Sequence, residues 1–374
     1  MCIKFKKDSS CHFLIIITKL FKEISLFFFL LLISIENFIR DKWIPKRIKI
    51  GVIGEHYSQN IGNNLLKYAM FIKLKELGFN PQIIGYLFPG NDISALSKII
   101  NIRIVKESFR EIKRKDYDIL MVNSDQVWKK GNLYCLDIGF LNFAKNWKIT
   151  KFIYGASLGS DIWNYERNED IVLKELLKQF TGVSVREKGT ITLVENHLNI
   201  SPILVVDPTL LIDKKYYLDL IKDYKNEFNS NDSYIFAYDI EKMLPMELFI
   251  NQSVNILKYK LYRCTVLDKD YLRRFIYGIY KCKAVITNSY HGILFSIIFR
   301  KPFVAFNLKY RGNDRFNTLI DVYGLKKRIV SDDNPSPSIS LLTEPFDVDM
   351  KIFDEIRKQS IDYLKKNLKI EAKK

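Results

Sequence analysis

Five short polar clusters hold the residue types that could do chemistry: YSQNIGNN (57–64), NSDQVW (123–128), GASLGSD (155–161), SVREKGT (184–190) and TNSYHG (287–292). Most close an apolar run, and in open parallel sheets ligands bind where strands end. His291 falls at a strand-to-helix turn, where helix N-terminal amides favour phosphate. It could bind such a group or act as a general acid; a satisfied structural histidine is the plainer alternative. Ser289, Tyr290 and Gly292 share its turn. Arg186 offers a planar fork for carboxylate or phosphate, or else a plain ion pair with Glu187. Asp125 and Gln126 beside the indole of Trp128 suit a sugar. Asp125 would serve as base for an attacking hydroxyl, or merely cap the following turn. In the first loop Gly62 permits close backbone approach. Asn60, Asn63 and Asn64 offer neutral hydrogen bonds to hydroxyls, or helix caps. Arg315, with Arg311, either adds charge beyond His291 or lies in a solvated loop. Asp207, before Pro208, reads as a turn initiator rather than a metal ligand. Lys188 reads as a solvated helix start, His56 as a lone loop histidine and His197 as a surface one.

The elements that must hold these clusters alternate strand and helix. RIKIGVIG (47–54) opens as a buried strand, residues 60–79 carry apolar positions at helical spacing up to Gly78, and NPQIIGYLF follows as a second strand. Further strands are expected at 118–124, 151–157, 182–187 and 203–209, with a helix over 171–180. Past a polar stretch at 226–233, a second series reads as strands at 234–239, 255–262, 284–289 and 303–308. Helices are expected at 268–281 and 292–300, and an amphipathic helix at 349–368 closes the chain. The pattern predicts an α/β protein of two Rossmann-like lobes. The divisions are an N-terminal apolar, basic extension (1–45), lobes over 46–215 and 216–345, and a closing helix with a basic tail (346–374).

With 48% hydrophobic residues and 14% aromatics in 374 residues, a disordered chain is excluded. Five cysteines (Cys2, Cys11, Cys135, Cys264 and Cys282) include no CxxC pair, which favours isolated thiols in a reducing compartment. No phosphate-loop signature, strand-end DxD pair or zinc spacing occurs, and bases are not interleaved with aromatics as in RNA-binding modules. Neither metal nor nucleic acid is therefore expected. The net charge is +17, yet residues 1–50 hold ten bases and four acids, and residues 363–374 five bases and one acid. More than half of the excess thus lies in the terminal segments. Two apolar runs, 12–18 and 24–35, are separated by Lys19, Lys22 and Glu23. Neither reaches the ~20 residues of a spanning helix. The runs and their flanking bases are best read as a segment lying in or dipping into the anionic cytoplasmic leaflet; the alternatives are a single span from about Leu20, a helix buried against the body, or a non-native upstream extension.

In order along the chain, NIGNNLLKYA, NSDQVW with FLNF after it, YGASLG, SVREKGT, DPTLL and ITNSYHGILFSIIFRKPF resemble the polysaccharide pyruvyl transferases, over about three quarters of the sequence. The resemblance implies a GT-B-type arrangement of the lobes, the first on the acceptor side and the second on the donor side. It implies phosphoenolpyruvate as co-substrate, with no tightly bound cofactor, and transfer of a pyruvyl group to sugar hydroxyls as a ketal. On that basis His291, Arg186 and Asp125 are the expected catalytic residues. The donor would meet Arg186, Ser289, Tyr290, His291, Gly292 and Arg315, and the acceptor Asn60, Gly62, Asn63, Asn64, Gln126 and Trp128. Relatives place an arginine where this chain has Ser289, which keeps open a metal-independent glycosyltransferase using a nucleotide sugar. A non-catalytic glycan- or membrane-binding protein on the same fold is the third reading. Expected partners are a glycan or lipid-linked sugar and an anionic membrane surface, at the cytoplasmic face of the cell membrane, with a homo-oligomer compatible.

Overall fold

Two all-parallel sheets carry the molecule. The first has seven strands in the order β3-β2-β1-β4-β5-β6-β7: β1 (Lys49–Ile53), β2 (Asn80–Tyr86), β3 (Ile102–Val105), β4 (Ile119–Val122), β5 (Thr150–Ala156), β6 (Gly182–Val185) and β7 (Ile203–Leu204). The second has five in the order β12-β11-β10-β8-β9: β8 (Tyr234–Tyr238), β9 (Lys260–Arg263), β10 (Ala284–Thr287), β11 (Phe303–Phe306) and β12 (Ile329–Val330). Strand order reverses direction between β1 and β4 in one sheet and between β8 and β10 in the other. Such switch points open crevices at the strand C-termini. The computed structural model describes residues 48–57, 60–87, 94–132, 135–225, 232–265, 268, 270–307, 314–331 and 336–369. They belong to one compact unit, Ile48–Lys374. The N-terminal extension, Arg311 and the final basic residues lie outside the described residues. Among the described residues no helix is long and apolar enough to cross a membrane.

Helices supply the crossovers: α1 (Ile61–Glu76), α2 (Arg167–Leu177), α3 (Lys188–Leu198), α4 (Lys214–Ile221), α5 (Leu244–Leu257), α6 (Tyr271–Lys281), α7 (Tyr290–Ile298), α8 (Asp314–Asp321) and α9 (Met350–Asn367). Helix α1 is buried almost all round, because one side packs on the first sheet and another meets the second lobe. Alternation along β1 directs Ile50 and Val52 to that shared core and Ile53 to the opposite face. The shared core runs without a break from Val52, Leu65 and Met121 to Phe236, Phe275 and Phe295. The lobes are therefore joined by apolar packing as well as by the chain.

Local chemistry explains where the elements depart from the sequence pattern. Residues 255–257, expected within a strand, complete α5, and β9 starts only after Lys258 turns the chain in the left-handed region at φ 56°. Strand β7 is only two residues long; Asp207 and Pro208 then start a 3₁₀ turn. Strands β3 and β12 and helix α5 carried no distinct signal.

The closing helix α9 returns to the first sheet. Tyr363 Oη donates to the carbonyl of Ile153 at 2.6 Å, Ser360 Oγ accepts from Val206 N at 2.9 Å, and Thr181 Oγ1 donates to Asn367 Oδ1 at 2.8 Å. Tyr363 is buried. Tyr363→Phe should lower unfolding free energy by about 1 kcal/mol, one hydrogen bond, and Tyr363→Ala by about 3–5 kcal/mol through the cavity left behind. Urea unfolding midpoints read both.

Candidate active site

The switch point of the first sheet receives residues from five elements. After β4, Asn123, Ser124 and Asp125 leave the strand, and Asp125 takes φ 132°. A non-glycine residue holds such a value at a cost of about 1–3 kcal/mol, the kind of strain that concentrates at functional sites. Its backbone pairs in a parallel bridge with Ala156. Asp125 is therefore held by backbone pairing as well as by its side chain.

Arg186, at the end of β6, is the hub. Its side chain is 0% exposed. Nε donates to Glu187 Oε1 at 2.9 Å, Nη1 to Asp207 Oδ2 at 2.9 Å, and Nη2 faces Asp125 Oδ1 at 3.3 Å. Sequence reasoning expected this fork to face the donor; the structure fills it with three carboxylates of the chain itself, because a buried guanidinium must be compensated. Burial alone would raise the Asp207 pKa, but His291 beside it, then the charge of Arg186, hold it well below the usual carboxylate range. Burial likewise opposes ionisation of Asp125, and Arg186 followed by Asn63 overcomes it, leaving its pKa lowered. Glu187 has no such relief: burial outweighs Arg186 and lifts it to about 7.

His291 starts α7 from the other lobe, with Nε2 3.7 Å from Asp207 Oδ2. Asp207 is the turn initiator the sequence suggests, Oδ1 accepting from Thr209 N at 2.9 Å, and its second oxygen links Arg186 to His291. Gly62 makes this approach feasible, since a Cβ there would stand 2.0 Å from His291 Nδ1. Ser289 is the N-cap of α7, its Oγ accepting from Gly292 N at 3.3 Å, so these two serve the helix end. The Tyr290 ring lies 5.4 Å from the Arg186 guanidinium carbon and 6.0 Å from that of Arg315.

Helix α1 brings the asparagines. Asn60 caps it, accepting from Asn63 N at 3.1 Å. Asn63 Nδ2 donates to Asp125 Oδ2 at 2.9 Å, and Asn64 Nδ2 donates across the lobes to Tyr271 Oη at 3.1 Å. Gln126 is half-buried beside Gly159. Trp128, expected as a sugar platform, is a correction: its indole is 1% exposed, stacks on Phe140 with centroids 5.4 Å apart, and donates to the carbonyl of Gly139 at 2.9 Å. Its size and apolarity are spent on the core. His197, as expected, is a surface residue, stacked on Trp163.

Sequence reasoning missed three residues. Lys67 is wholly buried and Glu55 half-buried; burial lowers the lysine to about 8 and, with Asp125 next, lifts the glutamate to about 8. Asn123 is buried with neither side-chain polar atom hydrogen-bonded. For Lys67 a signal existed: it follows Asn63 by four residues and interrupts an apolar helix, so the two polar groups share a face.

Among solved structures, the UDP-GlcNAc 2-epimerase of Neisseria meningitidis, bound to UDP-GlcNAc, aligns with a TM-score of 0.51 at 10% identity, over 87% of this chain and 100% of that chain. The UDP-GlcNAc 2-epimerase of Methanocaldococcus jannaschii, in complex with UDP-GlcNAc and UDP, gives 0.47 at 13% identity over 87% and 100%. The first likeness is one of fold, a two-lobed GT-B-type arrangement. No curated protein matches the chain. The model of the family described as polysaccharide pyruvyl transferase matches residues 60–310, a span that takes in Asn63, Asp125, Arg186, Asp207 and His291. On that match the chain is a transferase and belongs to the polysaccharide pyruvyl transferase family.

Proposed function

We propose that this enzyme transfers the pyruvyl group of phosphoenolpyruvate to two hydroxyls of a sugar in a surface polysaccharide or its lipid-linked precursor, releasing phosphate and forming a ketal. The observation that carries the reading is a difference in exposure within one network. Arg186 and Asp207 are sealed at 0%, whereas the side chains of Asp125 and His291 reach the surface at 14% and 12%. The two sealed groups position; the two accessible ones meet substrate.

Protonated His291, backed by the Asp207 carboxylate, gives its proton to the methylene carbon of the donor, and positive charge develops at the adjacent carbon. A sugar hydroxyl adds there as its proton passes to Asp125. The second hydroxyl displaces phosphate, which leaves with the remaining proton. The amides at the start of α7 and the Arg315 side chain are the groups suited to hold the donor's phosphate and carboxylate. Arg186 favours the ionised form of Asp125, and His291 followed by Arg186 favours that of Asp207. The acceptor side is the Asn63 and Gln126 edge, with Asn60 and Asn64 fixing helix α1. Membrane contact by residues 1–45 would bring a lipid-linked acceptor to this site at the cytoplasmic face.

Phosphate release from phosphoenolpyruvate with a panel of lipid-linked sugars tests the assignment. Nucleotide release from UDP-sugars, with no phosphate release, would instead establish a glycosyltransferase on this fold. His291→Ala should lower turnover at least about a hundredfold with its circular dichroism unchanged. Gly62→Ala should cost about tenfold or more by displacing the imidazole; wild-type turnover in either variant would remove His291 from the chemistry.

A further inference from the structure

Lys67 projects from the second turn of α1, wholly buried, behind Asn63 and Asp125. Its Nζ donates to Asn63 Oδ1 and, at 3.2 Å, to the carbonyl of His56, and it lies 4.6 Å from the Tyr57 ring centroid. An ammonium only donates, whereas a carboxamide has one accepting and one donating end. Asn63 must therefore turn Oδ1 toward Lys67, which leaves Nδ2 aimed at Asp125 Oδ2, 2.9 Å away. In the flipped amide the oxygen would face the carboxylate and the NH2 group would face the ammonium, two repulsive contacts. Asp125 Oδ1 is already engaged by Arg186 and by the backbone amide of Gln126 at 2.9 Å. Oδ2 thus keeps a lone pair free for one further donor.

We propose that Lys67 is a positioning residue: by fixing the rotamer of the Asn63 amide it makes that amide a donor to Asp125 and orients the Oδ2 lone pair toward the sugar hydroxyl. The role rests on Asp125 being the base, as assigned above. Other charged groups bear on Asp125 as well: Glu55 and His56 after β1, Arg186 after β6, His291 on α7 and Arg315 on α8. Lys67 differs from them because it reaches Asp125 through a hydrogen-bonded side chain.

The variants are Lys67→Met, which fills the space without a donor, and Lys67→Gln, whose own amide can donate to Asn63. Two readouts apply. The first is the Asn63 side-chain amide resonance, assigned by its loss in Asn63→Ala and independent of any substrate. The second is the pH profile of kcat for phosphate release from phosphoenolpyruvate. In the wild type the Asn63 proton facing Asp125 should resonate downfield and exchange slowly; Lys67→Met should lose this and Lys67→Gln keep it. Asp125 acts ionised, so losing a hydrogen bond to its charged form raises its pKa. The acidic limb should move up by about one pH unit in Lys67→Met, with the donor KM unchanged. Asn63→Ala should move it equally, and adding Lys67→Met to Asn63→Ala should change nothing further. A Lys67→Met enzyme with the wild-type resonance and acidic limb would overturn the proposal. If Lys67→Met does not fold, Asn63→Ala must raise the limb and Lys67→Gln must not; any other pattern overturns it. A wild-type chain inactive toward phosphoenolpyruvate would sink the functional assignment alone, because the amide resonance still decides the role of Lys67.

Discussion

Everything at the lobe junction depends on one guanidinium taken out of water. Arg186 is buried among Asp125, Glu187 and Asp207. Burial of a lone charge is expensive, and breaking a buried pair typically costs about 3–5 kcal/mol because the partner is stranded. The arrangement survives because each guanidinium nitrogen has its own carboxylate. The same demand sets the electrostatics: two of those carboxylates are held below the usual carboxylate range, and the third, Glu187, is lifted by burial to about 7, where it titrates around physiological pH. Fixing one cation thus assigns protonation states to three acids.

The second constraint is close approach between lobes. Gly62 and the His291 ring occupy space that no side chain at residue 62 could share. Asp314, from α8, accepts from Gly189 N at 2.9 Å and Thr190 Oγ1 at 3.0 Å, capping the first turn of α3 from the opposite lobe. Lys188 N donates to Thr318 Oγ1 at 2.9 Å beside it. Helix α3 has no side-chain cap of its own, since Glu187 is turned to Arg186. One helix end is therefore completed only when the lobes meet, and that contact adjoins the residue that organises the site. Packing and chemistry are coupled through adjacent positions, 186 to 190.

Much of this was legible in the residues. Parallel strands buried on both faces read as continuous apolar runs, so β1, β2, β4, β5, β8, β10 and β11 stood out, and the polar clusters at their ends marked the crevice. Asn60 as a cap and Asp207 as a turn initiator follow from local hydrogen bonding and needed no tertiary information. Trp128 did not follow, because an indole beside an acid and an amide looks the same whether it stacks on a sugar or on Phe140. Lys67 was passed over because a lysine within a helix is usually solvated, and only packing on both sides of α1 buries it.

By itself the sequence determined the two βα series, the positions of the turns and the chemical types gathered at strand ends, since periodicity and turn propensity act within a few residues. Which of those groups meet was decided by the tertiary structure. Arg186 and Asp207 are 21 residues apart, Asp125 and Asn63 62 apart. His291 comes from α7 of the other lobe. The tertiary structure also decided what each group does: the pKa of a carboxylate and the openness of a guanidinium fork depend on burial and on partners brought in by folding. The same arginine that in isolation suits a phosphate becomes, once enclosed, the residue that holds two acids in place.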